Sequence, residues 1–277
     1  MTFGIITPIF EKTKYLLPAL VSVQSSGQHV VHELQQCDKA ATFCLSDEFC
    51  GRVRIVREPD TGMYDAITKG FNRICAEHPE VEILSWLNSD EQYLDGTLDI
   101  VAEYFEKHPD VDVVYGDYIQ LDAEGKPCSI RKEISPNLFY LVHGVNYIMS
   151  CTVFMRRRVW EDGLKLDISY RFVADKKFYV ENLRKGFTFA HIPQLLGGYT
   201  ATGANLSLQH EATLKEQARL RGELGSWCAP LRKLVRLLRL VNKLFCGCYS
   251  NSQVCFAYYD LLGERIVFSG RLSSRWH

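Results

Sequence analysis

Short apolar runs alternate with segments of helical period along most of the chain. Phe3-Gly-Ile-Ile-Thr-Pro predicts a buried strand stopped by Pro8, because proline cannot donate to a sheet ladder. A helix over 15–24 follows, with Leu16, Leu17, Leu20, Val21 and Val23 on its apolar side. His29-Val-Val-His and Val53-Arg-Ile-Val read as the next two strands, and 81–87 and 111–115 as two more. Between them, Thr61-Gly62 opens a helix to about residue 76, with Met63, Ala66, Ile67, Phe71 and Ile74 at helical spacing, and a second helix covers 96–107. Past Asp117 the pattern loosens into a hairpin turning at Glu124-Gly125, a helix over 135–142, a strand over 150–156, a helix over 172–185 and a closing strand from Phe187. Strands alternating with helices predict an α/β fold, a mainly parallel sheet flanked by helices on both faces.

Ligands of such sheets sit beyond the carboxyl ends of the strands. Three polar segments fall there: the one after Val31, Glu58-Pro-Asp-Thr-Gly after Val56, and Asn88-Ser-Asp-Glu after Leu87. Asp90 and Glu91 are adjacent carboxylates, a donor set for a hard cation such as Mg²⁺ or Mn²⁺ that bridges to a diphosphate. The same two acids would also suit a solvated turn.

The residues around the pair decide between these. Arg57-Glu-Pro-Asp-Thr-Gly-Met-Tyr-Asp-Ala-Ile-Thr-Lys-Gly-Phe-Asn and Ile83-Leu-Ser-Trp-Leu-Asn-Ser-Asp-Glu-Gln-Tyr-Leu resemble the two central signatures of glycosyltransferase family 2, and Val113-Val-Tyr-Gly-Asp and Asp122-Ala-Glu-Gly-Lys are similar to the strand and hairpin that follow them. The resemblance runs from about Gly4 to Leu206 in one consistent order. It implies a GT-A fold (Rossmann-like), with a catalytic domain over 1–206 and a helical, basic extension over 207–277. It also implies an inverting, metal-dependent transferase of hexosyl type, moving a sugar from a nucleotide-sugar donor to the hydroxyl of a glycan or lipid-linked acceptor in surface glycan or polysaccharide biosynthesis.

The same resemblance carries residue roles. Ser89, Asp90 and Glu91 stand at the acidic motif, with Asp90 toward the nucleotide and both acids as ligands of Mg²⁺ or Mn²⁺. Thr7 and Pro8 match the base contact, and Glu33 stands where relatives have an aspartate that reads the base, though the glycines usual after it are absent. Asp60, Asp65 and Lys69 occupy the donor-contact segment. Asp175, in Tyr170-Arg-Phe-Val-Ala-Asp-Lys-Lys-Phe-Tyr, stands at the catalytic base, with Ala174 in place of a frequent acidic neighbour. Lys176 and Lys177 beside it would lower its pKa. As a plain helix N-cap, Asp175 would need no chemistry.

The tail adds a different pattern. Leu231, Leu234, Val235, Leu238, Val241 and Phe245 form one helical face, and Arg232, Arg236, Arg239 and Lys243 another. Such a helix lies on an anionic membrane surface, or packs on the protein with its arginines in water. The segment from Val254 to Phe268 reads as two strands joined at Gly263, an addition to the sheet.

Composition changes this picture little. Hydrophobic residues at 47% and charged residues at 23% are ordinary for a folded domain, and a net charge of −1 gives no reason to expect nucleic acid. Ten cysteines without a paired CxxC spacing, and no leader-like N-terminus, predict reduced thiols in a cytoplasmic protein, peripheral at most on the inner face of a membrane. A nucleotidyltransferase is disfavoured by the lack of a glycine-rich, lysine-bearing phosphate loop. The departures at Glu33 and Ala174 leave a second reading, a degenerate nucleotide-binding partner that assembles at a membrane without turnover.

Overall fold

The computed structural model describes the chain apart from residues 12, 38–45, 47–48, 204, 206–209, 227–231, 251–252 and 275–277. Cys44, Leu206, Cys228 and Leu231 lie outside the described residues. The order of elements is β1 (Thr2–Ile9), α1 (Leu16–Gln24), β2 (His29–Cys37), β3 (Val53–Glu58), α2 (Met63–Glu77), β4 (Ile83–Trp86), β5 (Glu91–Tyr93), α3 (Thr97–Lys107), β6 (Val113–Leu121), β7 (Pro127–Arg131), α4 (Leu138–His143), β8 (Phe154–Arg156), α5 (Arg157–Asp162), α6 (Ala174–Lys185), β9 (Phe189–Thr200), α7 (His210–Glu223), α8 (Arg232–Phe245), β10 (Val254–Tyr259) and β11 (Arg265–Gly270).

The main sheet has the order β3-β2-β1-β4-β8-β6-β9-β5, with β7 paired to β6. β8 is antiparallel to both β4 and β6, so those two run the same way. Together with β1, β2, β3 and β9 they form a co-directional set, opposed only by β5, β7 and β8. Every residue of β4 is buried, as a central strand covered on both faces must be. On one face α2 and α6 deliver Ile67, Phe71, Ile74 and Tyr179 against Trp86 and Trp160. On the other, α1 and α3 deliver Ala19, Val23, Leu98, Val101 and Phe105. Gly70 permits the close approach of α2 to β1, since a Cβ there would lie 2.5 Å from Ile6 Cδ1.

Several elements differ from the sequence expectation. Pro8 does not stop β1, which continues beside β2 to Ile9. The pairing with β4 ends at Ile6–Trp86, and Ile6 accepts from Leu87 N on that side. Pro8, two residues on, faces the same unpaired side, where a missing N–H leaves no ladder bond unmade. β2 extends to Cys37, so Glu33 sits inside the strand, opposite Ile6, rather than in a loop after it. Residues 150–152 form a 3-10 turn, leaving β8 only Phe154–Arg156. The C-terminal pair, β10 and β11, makes its own two-stranded sheet. It docks through Gln92, whose side-chain amide donates to Tyr259 O (2.9 Å) and accepts from Tyr259 N (2.7 Å), imitating a strand neighbour. The cysteines among the described residues are free thiols.

Helix α8 reverses the usual arrangement of an amphipathic helix. Its basic stripe faces the protein: Arg239 and Lys243 are buried and each pairs with buried Glu133 at 3.0 Å. Its leucines point outward, with Leu237 53% and Leu244 57% exposed. The expectation of basic residues toward a membrane does not fit this, and that of a helix packed on the protein with its arginines in water fits only in part: α8 does pack on the protein and Arg236 is exposed, but Arg239 and Lys243 are buried. Glu133 carries the attachment, because two buried cations without it would be left uncompensated. Glu133→Ala is expected to lower stability by about 3–5 kcal/mol, judged by the cost of breaking other buried pairs, and urea unfolding measures it; a loss below about 1 kcal/mol, the scale of exposed pairs, would refute that role.

Candidate active site

The carboxyl ends of the co-directional strands open at one edge of the sheet. β4 ends at Trp86, and the turn that follows brings Asn88, Ser89, Asp90 and Glu91 to this edge before β5 pairs with β9 through Glu91 and Tyr199. Ser89 and Asp90 are half-buried and Glu91 is buried. Glu91 accepts from Asn88 N at 3.1 Å and from the Ser150 hydroxyl at 3.2 Å. Burial, then the charge of Asp90, pushes its carboxyl up to about 8. Burial also raises Asp90, against the bond from Asn205 Nδ2 at 3.0 Å. Both acids line a small cleft with Tyr15, Thr200 and Leu261.

These oxygens fit a hard cation. Two adjacent carboxylates destabilise each other's charge, and among the described residues no basic side chain pairs with either and the buried Oδ1 of Asn88 has no hydrogen-bond partner. Among the described residues no three His, Cys, Asp or Glu side chains converge to hold a metal alone. An ion here would therefore share its coordination with a ligand's own oxygens.

Asp175 lies in the first turn of α6, whose positive end favours a carboxylate. Its oxygens accept from Tyr64 OH at 3.2 Å and Asn146 Nδ2 at 2.8 Å. Burial raises its carboxyl to about 6, outweighing Lys176. The expectation that two flanking lysines lower it is thus overturned, and Lys177 turns away to Asp167 (2.7 Å) and Glu223 (2.9 Å). Tyr179, one turn further along α6, stacks on Trp86 with ring centroids 6.4 Å apart. Its buried hydroxyl has no partner among the described residues, and the charges of both Asp175 and Glu91 act on it, so the base candidate and the acidic corner lie near one another.

The remaining residues divide. Thr7 is fully buried, its hydroxyl within 3.0 Å of His32 Nε2, and Pro8 is partly exposed beside it. Glu33 is fully buried, and its two oxygens are taken by Arg54 (3.2 Å) and Arg73 (3.0 Å); the part of β2 that reaches the sheet edge is Gln35, Gln36 and Cys37. Asp65 and Lys69 pair at 2.9 Å, and Lys69 also donates to Pro59 O at 2.7 Å. Asp65 further accepts from Thr61 N, so these two residues shape the turn that carries Asp60. Although burial opposes it, the Lys69 and Thr61 bonds hold Asp65 below the usual carboxylate range, whereas burial lifts Asp60 above it. Tyr64, Asn146, Ser150, Tyr179 and Asn205 join the site without having been singled out in the sequence. Tyr64 sat inside a quoted motif, but Asn146 lies in irregular chain with no periodic signal.

The sheet order, the acidic corner and the helices on both faces make this the GT-A fold. Among solved structures the chain is similar to Staphylococcus aureus TarS. A structure of TarS 1-349 in complex with UDP-GlcNAc matches with TM-score 0.64 at 15% identity, over 81% of this chain and 66% of that one. A second TarS 1-349 structure gives TM-score 0.60 at 15% identity over 81% and 65%, and a TarS structure gives 0.60 at 16% over 80% and 39%. The match thus spans just under two thirds of the TarS 1-349 chains. No protein-family model and no curated protein matches the sequence.

Removing the Tyr64 hydroxyl takes a donor from the charged form of Asp175. Tyr64→Phe is therefore expected to raise the Asp175 pKa above that of the unaltered protein, read by NMR titration of the carboxyl carbon; an unchanged midpoint would remove Tyr64 from the site.

Proposed function

We propose that the chain is an inverting glycosyltransferase that moves a sugar from a nucleoside-diphosphate sugar to an acceptor hydroxyl, in surface glycan or polysaccharide biosynthesis. The observation that carries this is the convergence of Asp175 and the Asp90–Glu91 corner on Tyr179 within a GT-A fold. A carboxylate with a pKa near 6 is deprotonated at neutral pH, yet remains basic enough to take a proton in a transition state. Asp175 accepts the acceptor's proton as its oxygen bonds to the anomeric carbon, and the bond from that carbon to the diphosphate breaks with the electron pair leaving on phosphate oxygen. Tyr64 and Asn146 hold the carboxylate in place for this. Asp90 and Glu91 would hold Mg²⁺ or Mn²⁺, which supplies Lewis-acid charge to the leaving diphosphate. Asp60 and the turn fixed by Asp65 and Lys69 border the donor. Ser89 faces the same side, and Pro8 with the end of β2 bounds the base. A UDP-sugar is the first donor to test, given the TarS complex with UDP-GlcNAc.

The acceptor side involves the tail. Helix α8 packs against α4, and both carry exposed apolar residues, the leucines of α8 and Leu138 and Phe139 of α4, 38% and 40% exposed, with Lys233 exposed on α8 as well. That combination supports peripheral seating on an anionic bilayer. No helix among the described residues is long and apolar enough to cross a membrane. The engagement of Glu33 by two arginines favours the second reading, nucleotide binding without turnover, because a carboxylate so held is not free to read a base.

Turnover separates the two. With UDP-sugars and Mn²⁺ the protein is expected to release UDP, and Asp175→Asn to slow transfer by about 10²–10⁴-fold, the usual worth of a general base. Activity should fall as the pH drops through about 6. Because the folded pKa is raised, the native state binds the proton more tightly, and stability is lost as pH rises from 3.8 to about 6. Asp175→Asn should therefore be at least as stable as the parent at pH 7 in a thermal melt; equal activity in that variant would discard the base assignment. For the membrane, Leu237→Ser with Leu244→Ser is expected to abolish co-sedimentation with phosphatidylglycerol vesicles. If the protein instead dimerises through this face, sedimentation velocity will show the dimer and its loss in the same variant.

A further inference from the structure

Beside Asp175 lies a second group of ionisable side chains that the acid chemistry does not use. Lys176 is only 6% exposed, and no carboxylate pairs with it among the described residues. Its charged neighbours are Arg221 of α7 and Arg232 and Arg236 of α8, with Asp175 the one opposing charge. Arg221 is itself half-buried against Arg232 and Arg236. The Nε of Arg232 is sealed from solvent and has no acceptor among the described residues. Among the described residues none of the four cations forms an ion pair.

Several other buried or half-buried cations are matched by carboxylates. Arg239 and Lys243 share Glu133, Arg73 bonds Glu33 and Glu58, and Lys177 bonds Asp167 and Glu223. The contrast falls within one helix: the far half of the α8 basic stripe has its carboxylate, and the near half, Arg232 and Arg236, meets only more positive charge. Only Lys176 of the four is buried, Arg221 and Arg232 being half-buried and Arg236 exposed; like charges crowded there repel, and an opposite charge placed among them relieves the repulsion. Burial, then Arg221, lowers Lys176 to about 8, which a bound anion would reverse. Three guanidinium forks and an ammonium offer more donors than the two oxygens of a carboxylate can accept. A phosphate presents more oxygens and more charge, and planar guanidinium groups bind it in bidentate fashion.

We propose that Lys176, Arg221, Arg232 and Arg236 form an anion subsite for a phosphate group of the acceptor, held beside the hydroxyl that Asp175 deprotonates. The acceptor is then a phosphoester, either soluble or a lipid headgroup. Its placement as the acceptor's subsite rests on the transferase reading; its binding of phosphate does not.

The test is calorimetry with inorganic phosphate and glycerol 3-phosphate at constant ionic strength, with a chelator present so that no metal-bridged binding at Asp90 and Glu91 contributes. The unaltered protein is expected to bind both ligands, and Arg221→Ser with Arg236→Ser to bind at least tenfold more weakly. Both positions retain solvent exposure, and removing mutual repulsion should raise the melting temperature of the ligand-free variant, which confirms that it folds. Arg236→Ser alone, at an exposed position, repeats the test in milder form. Phosphatidylglycerol and phosphatidylcholine vesicles distinguish the sources: anion-selective vesicle binding lost in the arginine variants identifies a headgroup, and binding of glycerol 3-phosphate without it identifies a soluble phosphoester. Equal affinity for phosphate in parent and variant, or no binding by the parent, overturns the subsite. UDP release by the unaltered protein is measured separately, so its absence with phosphate binding intact removes the transferase reading alone.

Discussion

A strand buried on both faces and aligned with its neighbours can release its polar groups only at its ends, and β4 is such a strand. Its four residues are buried, and the chain meets water again only at the turn carrying Asn88 to Glu91. β8 matters for the same reason: inserted antiparallel between β4 and β6, it keeps those two strands co-directional. Without that constraint the acidic corner and the start of α6 would have no common edge on which to meet.

Burial then sets the chemistry. Glu91 and Asp175 are both lifted from the ordinary carboxylate range chiefly by desolvation, but their surroundings differ. Glu91 stands beside another acid, which suits sharing a cation. Asp175 is held by two neutral donors, Tyr64 and Asn146, which suits exchanging a proton. Two carboxyl groups in one region thus stand in different environments, which supports the separate roles proposed for them.

Charge matching also explains the tail. Leucines usually turn a helix toward a protein, yet α8 is fixed by Arg239 and Lys243 on Glu133, and Arg239 also lies over the Tyr147 ring at 4.9 Å. A buried acid with two cations outweighs the apolar face because leaving it unmatched would be far more unfavourable than leaving several leucines in water. The outcome is an apolar ridge outside and, where the stripe passes beyond Glu133, cations that crowd Lys176 without a carboxylate among the described residues.

Local pattern made much of this legible. Apolar runs and helical-period segments located β1, α2, β4, α3 and α6, and the quoted motifs around Asp90, Glu91 and Asp175 pointed to a GT-A fold before any coordinates. Hairpin turns at Gly125 and Gly263, both with positive φ, were equally plain, because glycine tolerates that conformation and other residues resist it. What the chain alone did not disclose depends on neighbours distant in sequence. The reach of β1 past Pro8 follows from where β4 stops. The fate of Glu33 follows from Arg73, forty residues on, and that of Lys69 from the turn it closes. The direction in which α8 faces follows from Glu133, over a hundred residues away. Periodicity records which side of a helix is apolar, but which side is buried is decided by the charges waiting in the fold to receive it.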